Sequence, residues 1–201
     1  MKLYFIGGAS GSGKTAIMPE MQKILGSKIR VYDYDDIGVP EGADKKWRQE
    51  STEKWLQKLL SYKKNACLSG VILGEILACP SAKHIEEVHF LLLDVDDLVR
   101  IKRIRTRGDV PYNNQHMLNW ASWLRMHHQD PQWTQHVITD DSWDGLDFSS
   151  WDQNENWPSN VTTKIIDTTS LDIKEVAEQV AAWINDNQIN FKIIAHDSDL
   201  K

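Results

Sequence analysis

The stretch Leu3-Tyr4-Phe5-Ile6-Gly7-Gly8-Ala9-Ser10-Gly11-Ser12-Gly13-Lys14-Thr15 decides how the rest of the chain is read. Leu3 to Ile6 form an apolar run suited to a buried parallel strand, and Ala16 to Leu25 read as a helix. Between them, Gly8 to Thr15 match the pattern GxxxxGK[ST] in composition and in context. The glycines let successive backbone N–H groups turn inward around phosphate oxygens. Lys14 can reach the β- and γ-phosphates, and the Thr15 hydroxyl is placed to ligate Mg²⁺. A flexible Gly/Ser turn is the plainer alternative, but the strand before and the helix after favour a phosphate loop. The segment Gly8, Ala9, Ser10, Gly11, Ser12, Gly13, Lys14 and Thr15 therefore predicts ATP and Mg²⁺ as cofactors. Pro19, inside the helix, removes a backbone donor and is expected to bend or loosen its first turns.

Outward from this motif, short apolar segments alternate with helical patterns. Ile29 to Tyr32, Ala66 to Ile72, Val88 to Leu93 and Thr163 to Ile166 read as four further strands. Asp44 to Tyr62 carries Trp55, Leu56, Leu59 and Leu60 at helical spacing. Leu98, Ile101 and Ile104 mark another helix, and Leu171 to Asn185 a last one, with Ser170 or Asp172 as its cap. The rhythm predicts an α/β fold: a three-layer αβα sandwich on a five-stranded parallel sheet. Residues 108–162 break it, being polar, loop-rich and dense in tryptophan (Trp120, Trp123, Trp133, Trp143, Trp151, Trp157). They read as a lid and insertion, helical near Met117 to Leu124 and irregular over Asp140 to Ser159. The rings either glue the insertion to the core or form a wall against a planar ligand. Residues 1–187 then make one domain and 188–201 a tail.

With 201 residues, 41% hydrophobic, the chain can bury one substantial core. Its net charge of −6 leaves no electrostatic footprint for a nucleic-acid backbone, so a small-molecule partner is the simpler expectation. Cys67 and Cys79 lack CxxC spacing and read as buried thiols in a reducing compartment. A strand starting at residue 3 leaves no room for a signal peptide, and no apolar run reaches the ~18 residues of a membrane span. A soluble, cytoplasmic protein is expected, its oligomeric state open.

The second strand runs into Asp33-Tyr34-Asp35-Asp36. Carboxylates at the C-terminal end of a strand face the crevice where open α/β sheets bind ligands. If the chain stays extended, Asp33 and Asp35 share one side; one can orient an acceptor hydroxyl or take its proton while the other holds a Mg²⁺-bound water. The plain alternative is a solvated acidic turn closing the strand, with Asp36 capping the next segment. Arg100, Arg103, Arg105 and Arg107 gather on or just after one helix, and Arg103 and Arg107, four apart, share a face. They are either lid arginines for the transferred phosphoryl group or an ordinary basic helix surface. Glu75 either faces the crevice or lies on a helix surface. His116, His127, His128 and His136 have no metal-site spacing and read as surface or acceptor contacts.

These motifs together resemble the small P-loop kinases, a group that includes shikimate, gluconate, adenylate and nucleoside kinases. Four features carry the resemblance: GASGSGKT at 8 to 15, DYD at 33 to 35, Leu68-Ser69-Gly70, and RIRTRG at 103 to 108. It implies phosphoryl transfer from MgATP, with Asp33 and Asp35 near magnesium and acceptor. Trp47-Arg48 is similar to an aromatic-Arg pair that binds an acidic acceptor, and Gly70 lies on the acceptor side. Arg103 and Arg107 match lid arginines, and Ile165 to Ser170, with Thr168, match the segment beside adenine. Shikimate kinases carry a run of glycines after the third strand where this chain has Gly70-Val71-Ile72, which argues against shikimate itself. The rival reading is an ATPase or nucleotide switch in which Asp94, closing Phe90-Leu91-Leu92-Leu93, holds the magnesium shell, the alternative being that Asp94 begins the arginine-rich helix leading to the lid; no NKxD guanine motif accompanies it. A polynucleotide end kinase is a third, disfavoured by the acidic charge.

Overall fold

Five parallel strands in the order β2-β3-β1-β4-β5 form the sheet. The computed structural model describes residues 2–198, the side chains of 110 and 189–198 excepted. The strands are β1 (Leu3–Gly7), β2 (Arg30–Asp33), β3 (Ala66–Ser69), β4 (Val88–Asp94) and β5 (Val161–Asp167). The helices are α1 (Lys14–Leu25), α2 (Lys45–Tyr62), α3 (Leu73–Ala78), α4 (Asp97–Arg107), α5 (Gln115–Gln129), α6 (His136–Thr139) and α7 (Ile173–Ser198). β1 lies at the centre with all five residues buried, as expected of a strand covered on both faces.

Two apolar layers close the sandwich. On one face Phe5, Leu68 and Phe90 meet Trp55, Leu56 and Leu59 of α2, Ile76 of α3, and Trp123 and Trp151 from the insertion. On the other, Tyr4, Ile6 and Leu91 meet Ile17 and Met21 of α1 and Val176, Val180 and Ile184 of α7. Each fully buried leucine or isoleucine contributes about 2 kcal/mol, so pairing and packing together fix the register: Phe5 beside Leu68 and Phe90, with Gly7 level with Leu92.

The boundaries differ from expectation where backbone geometry overrides the apolar pattern. β3 stops at Ser69 instead of running to Ile72, because Gly70 turns the chain at φ +104° and donates its N–H to the Ile6 carbonyl at 2.8 Å; Ile72 then caps α3. α1 runs unbroken to Leu25 with Pro19 inside it, since the carbonyl that loses a partner is in the exposed first turn. α7 continues past Asn185 to Ser198, through most of the expected tail; 199–201 lie outside the described residues. No helix among the described residues is long and apolar enough to cross a membrane.

Candidate active site

The phosphate loop leaves the central strand β1 at the sheet's C-terminal edge, where the connection from β1 runs to β2 on one side and that from the neighbouring β4 runs to β5 on the other, leaving an open crevice. Gly8, Gly11 and Gly13 have φ of +144°, +83° and +102°, which a side chain would strain. A Cβ on Gly8 would lie 2.6 Å from both the Leu93 carbonyl and the Ser12 hydroxyl. That hydroxyl is buried inside the loop and bonds no other group among the described residues. Lys14 donates from Nζ to the carbonyls of Gly8 at 2.5 Å and Ala9 at 3.3 Å. Burial, then the nearby Arg100 guanidinium, pull its ammonium down to about 8, against the pull of Asp33 and Asp35. The site therefore holds a cation short of counter-charge.

Thr15 donates from its hydroxyl to Asp33 Oδ2 at 3.2 Å, which brings the expected metal-ligating pair together. Asp33 and Asp35 do line one cleft, but not through an extended strand. Tyr34–Ile37 coil into a 3-10 turn, Asp33 Oδ1 accepts the Asp35 N–H at 3.1 Å, and Asp36 reciprocates by accepting the Asp33 N–H at 3.3 Å. The acidic turn is thus a cap and a cleft wall at once, with Oδ1 of Asp33 turned inward to the cap and Oδ2 to Thr15. Tyr34 is buried beneath it, its ring under the Arg48 guanidinium at 4.6 Å and its carbonyl bonded by the Trp55 indole. Trp47 packs against the core and Arg48 alone of that pair lines the cleft.

Two clefts flank the loop. The first, about 510 Å³, joins the phosphate loop, Ser12 excepted, with Asp33, Asp35, Arg48 and Gly70, and is also lined by Val71, Ile72, Tyr112, Met117, Trp120 and Leu124. The second, about 760 Å³, lies behind the loop between Ala16, Arg103, Thr106, Thr168, Leu171 and Val176. Gly11, Gly13 and Arg107 belong to both. Arg103 and Arg107 differ in employment. Arg103 donates to the Gly11 carbonyl at 3.3 Å, the Thr168 hydroxyl at 2.9 Å and the Thr168 carbonyl at 2.7 Å, fastening the β5 loop to the phosphate loop. Thr168 adds a bond to the Ser12 carbonyl. Arg107 is exposed and paired with Asp109 at the mouth of both clefts.

Several residues behave differently from expectation. Asp94 is engaged by two arginines: it accepts from Arg125 Nε at 2.5 Å and from Arg100 at 3.1 Å. Helix α4 starts beyond it, capped by Asp96. Glu75 neither faces the cleft nor lies on a surface; it is buried, bonded by Gln49 at 3.2 Å, and burial pushes its carboxyl up to about 7. His116 and His136 are exposed, but His127 and His128 are buried, which corrects their assignment to the surface or the acceptor. His127 stacks on Trp123 at 4.5 Å and meets Trp151 and Trp157 edge-on, both ring nitrogens lacking a hydrogen-bond partner among the described residues. The tryptophans divide accordingly: Trp123, Trp151 and Trp157 pack, whereas Trp120 lines the first cleft. Arg125 was not legible as a site neighbour; its one signal is that it is the only Lys, Arg, Asp or Glu in α5.

No protein-family model matches the chain, nor does any curated protein sequence. Solved structures do match its fold. A gluconokinase from Sinorhizobium meliloti superposes with a TM-score of 0.53 at 14% identity, covering 97% of each chain. Shikimate kinase from Acinetobacter baumannii, in complex with shikimate, gives 0.52 at 15%, over 94% of this chain and 96% of that one. APS kinase from Mycobacterium tuberculosis, in complex with AMPPNP and APS, gives 0.50 at 16%, over 92% and 97%. The fold is that of the small P-loop kinases.

Proposed function

We propose that this protein is a cytoplasmic, magnesium-dependent kinase that transfers the γ-phosphoryl group of ATP to a hydroxyl or phosphate of a small metabolite. The observation that carries this reading is the pair of clefts meeting at the phosphate loop. A hydrolase needs room for one substrate, whereas a transferase needs two rooms opening on one point. The cleft behind the loop, with Thr168, Leu171 and Val176, suits the base and ribose of the nucleotide. The other, with Asp33, Asp35, Arg48 and Gly70, suits the acceptor. The free, buried thiols of Cys67 and Cys79 support a reducing compartment.

The residues present fit the nucleotide and its metal. The positive-φ glycines leave a cradle that a Cβ would fill, and the under-neutralised Lys14 awaits a polyanion. Thr15 and Asp33 would hold magnesium; one carboxylate and one hydroxyl suffice when phosphates and waters complete the shell. Bound there, the ion supplies positive charge to the phosphate oxygens. Lys14 neutralises the same oxygens, Arg107 swings in from the cleft mouth, and Arg103 keeps the loop rigid. Asp35 orients the acceptor hydroxyl and receives its proton, while Arg48 holds an anionic group of the acceptor. The engagement of Asp94 by Arg100 and Arg125 counts against the rival switch, in which that carboxylate must be free for magnesium.

ADP release from MgATP, followed across nucleosides, nucleotides, sugar acids and hydroxylated antibiotics, tests the reading. Stimulation by one acceptor, lost in Lys14→Ala and reduced in Asp33→Asn, is the expected result. Steady release that no acceptor alters would sink it. Because burial pulls the Lys14 ammonium down to about 8, nucleotide affinity measured by calorimetry should weaken as pH rises above that value.

A further inference from the structure

The phosphate loop and the insertion are wired together by a chain of charged hydrogen bonds that the transfer chemistry leaves unused. Arg100, wholly buried on α4, donates to the Ser10 carbonyl at 2.9 Å and to Asp94 Oδ1 at 3.1 Å. Asp94, at the end of β4, also takes a two-pronged contact from Arg125 of α5, at 2.5 Å to Oδ2 and 3.1 Å to Oδ1. Its carbonyl accepts the Thr168 N–H at 2.8 Å. Asp97 lies 3.8 Å from both guanidinium groups. Over the two turns leading to Arg125, α5 presents Met117, Trp120 and Leu124 to the acceptor-side cleft. Ser10 and Trp120 thus line one cleft, and their two segments are joined through Arg100, Asp94 and Arg125.

The geometry points to Arg125 as a positioning residue: through Asp94 and Arg100 it couples the helix forming the acceptor wall to the phosphate loop. Three physical facts support this. Two-pronged arginine–carboxylate contacts are directional, so α5 cannot slide without breaking both bonds. The pair is largely screened from solvent, with 17% of the Asp94 side chain and 33% of that of Arg125 exposed, so it outweighs a surface ion pair. Arg125 is also the only Lys, Arg, Asp or Glu in α5, and among the described residues that helix otherwise joins the core through Ala121, Trp123 and Leu124, apolar contacts that tolerate small shifts. Loading of the loop should therefore order α5, and an ordered α5 should hold the loop in register for transfer.

The test has an arm that needs no catalysis and an arm that rests on the kinase reading. In the first, hydrogen–deuterium exchange of residues 115–129 is followed with and without Mg²⁺ and AMPPNP. The wild type should show slower exchange on binding. Arg125→Met and Asp94→Asn should lose that protection while AMPPNP affinity, measured calorimetrically, stays within about threefold; Arg125→Lys should restore part of it. Protection that persists in both variants, or is absent from the wild type, overturns the proposal. So does a collapse of melting temperature and nucleotide affinity that Lys at 125 does not repair, which would mark a packing role only. In the second arm, Arg125→Met should lower kcat for the acceptor about tenfold, with KM for ATP unchanged and acceptor-independent ADP release retained. A wild type that phosphorylates no acceptor defeats the kinase reading and leaves the exchange result standing.

Discussion

The phosphate loop and the tryptophan-rich insertion face each other across one cleft, yet they are built by opposite means. The loop is held by backbone: positive-φ glycines, carbonyls gripped by Lys14, Arg100 and Arg103, and an absence of Cβ atoms where Leu93 and Ser12 approach. The insertion is held by side chains. Trp151 is fully buried, donates its indole N–H to the Gly74 carbonyl at 3.1 Å and meets His127, Phe148 and Trp157 ring to ring. A structure made from backbone should lose function first when a side chain is removed; one made from ring packing should lose stability first.

The largest expected effect lies in the insertion. Trp151→Ala should cost about 3–5 kcal/mol and lower the melting temperature by ~10 °C, read by calorimetry. Lys14→Ala should do the reverse, cutting turnover at least ~100-fold while the melting temperature moves by less than about 2 °C. Equal stability losses in the two variants would erase the distinction. Gly74→Ala sharpens it at the seam: its Cβ would meet His127 Nε2 at 2.7 Å and Trp151 at 2.8 Å, so a loss of about 1–3 kcal/mol is expected with nucleotide affinity intact.

The smallest effect is a pH dependence from two buried groups, His127 in the insertion and Glu75 in α3 of the scaffold. Burial, with His128 adding to it, pushes His127 down to about 3 from an ordinary 6.5. The unfolded chain therefore takes up the proton first. The contribution of neutral His127 is whole above 6.5 and is lost as pH falls towards 3. Glu75, pushed up to about 7 by burial, acts in the other sense: its contribution is whole below its unfolded value and is lost as pH rises through 7. His127→Phe should therefore flatten the acid limb of the melting curve by ~5 °C between about pH 6.5 and 4, and Glu75→Gln the limb between about 4.5 and 7. Superimposable pH profiles for wild type and His127→Phe would remove histidine from the account.

Local chemistry explains what was legible beforehand. The strand, the loop and the helix after it could be read because glycine, lysine and threonine at fixed spacing leave the backbone few other options. The DYD turn is legible in the sequence but its geometry is not: how Asp33 and Asp35 come to line one cleft depends on the cap formed with Asp36. Arg103 was singled out by spacing, although spacing could not foretell that its guanidinium would be occupied by Gly11 and Thr168. Arg125, 31 residues from Asp94, belongs to no motif, since nothing local links the two.

The αβα architecture, the phosphate loop and the acidic turn beside it are encoded locally, because each depends on contacts within a few residues or on a simple apolar period. The burial of His127 among tryptophans, the burial of Glu75 beside Gln49 and the sharing of Asp94 by two arginines arise from long-range packing. Those outcomes depend on which helices meet across the sheet, and the resulting desolvation and pairing act between residues far apart in the chain.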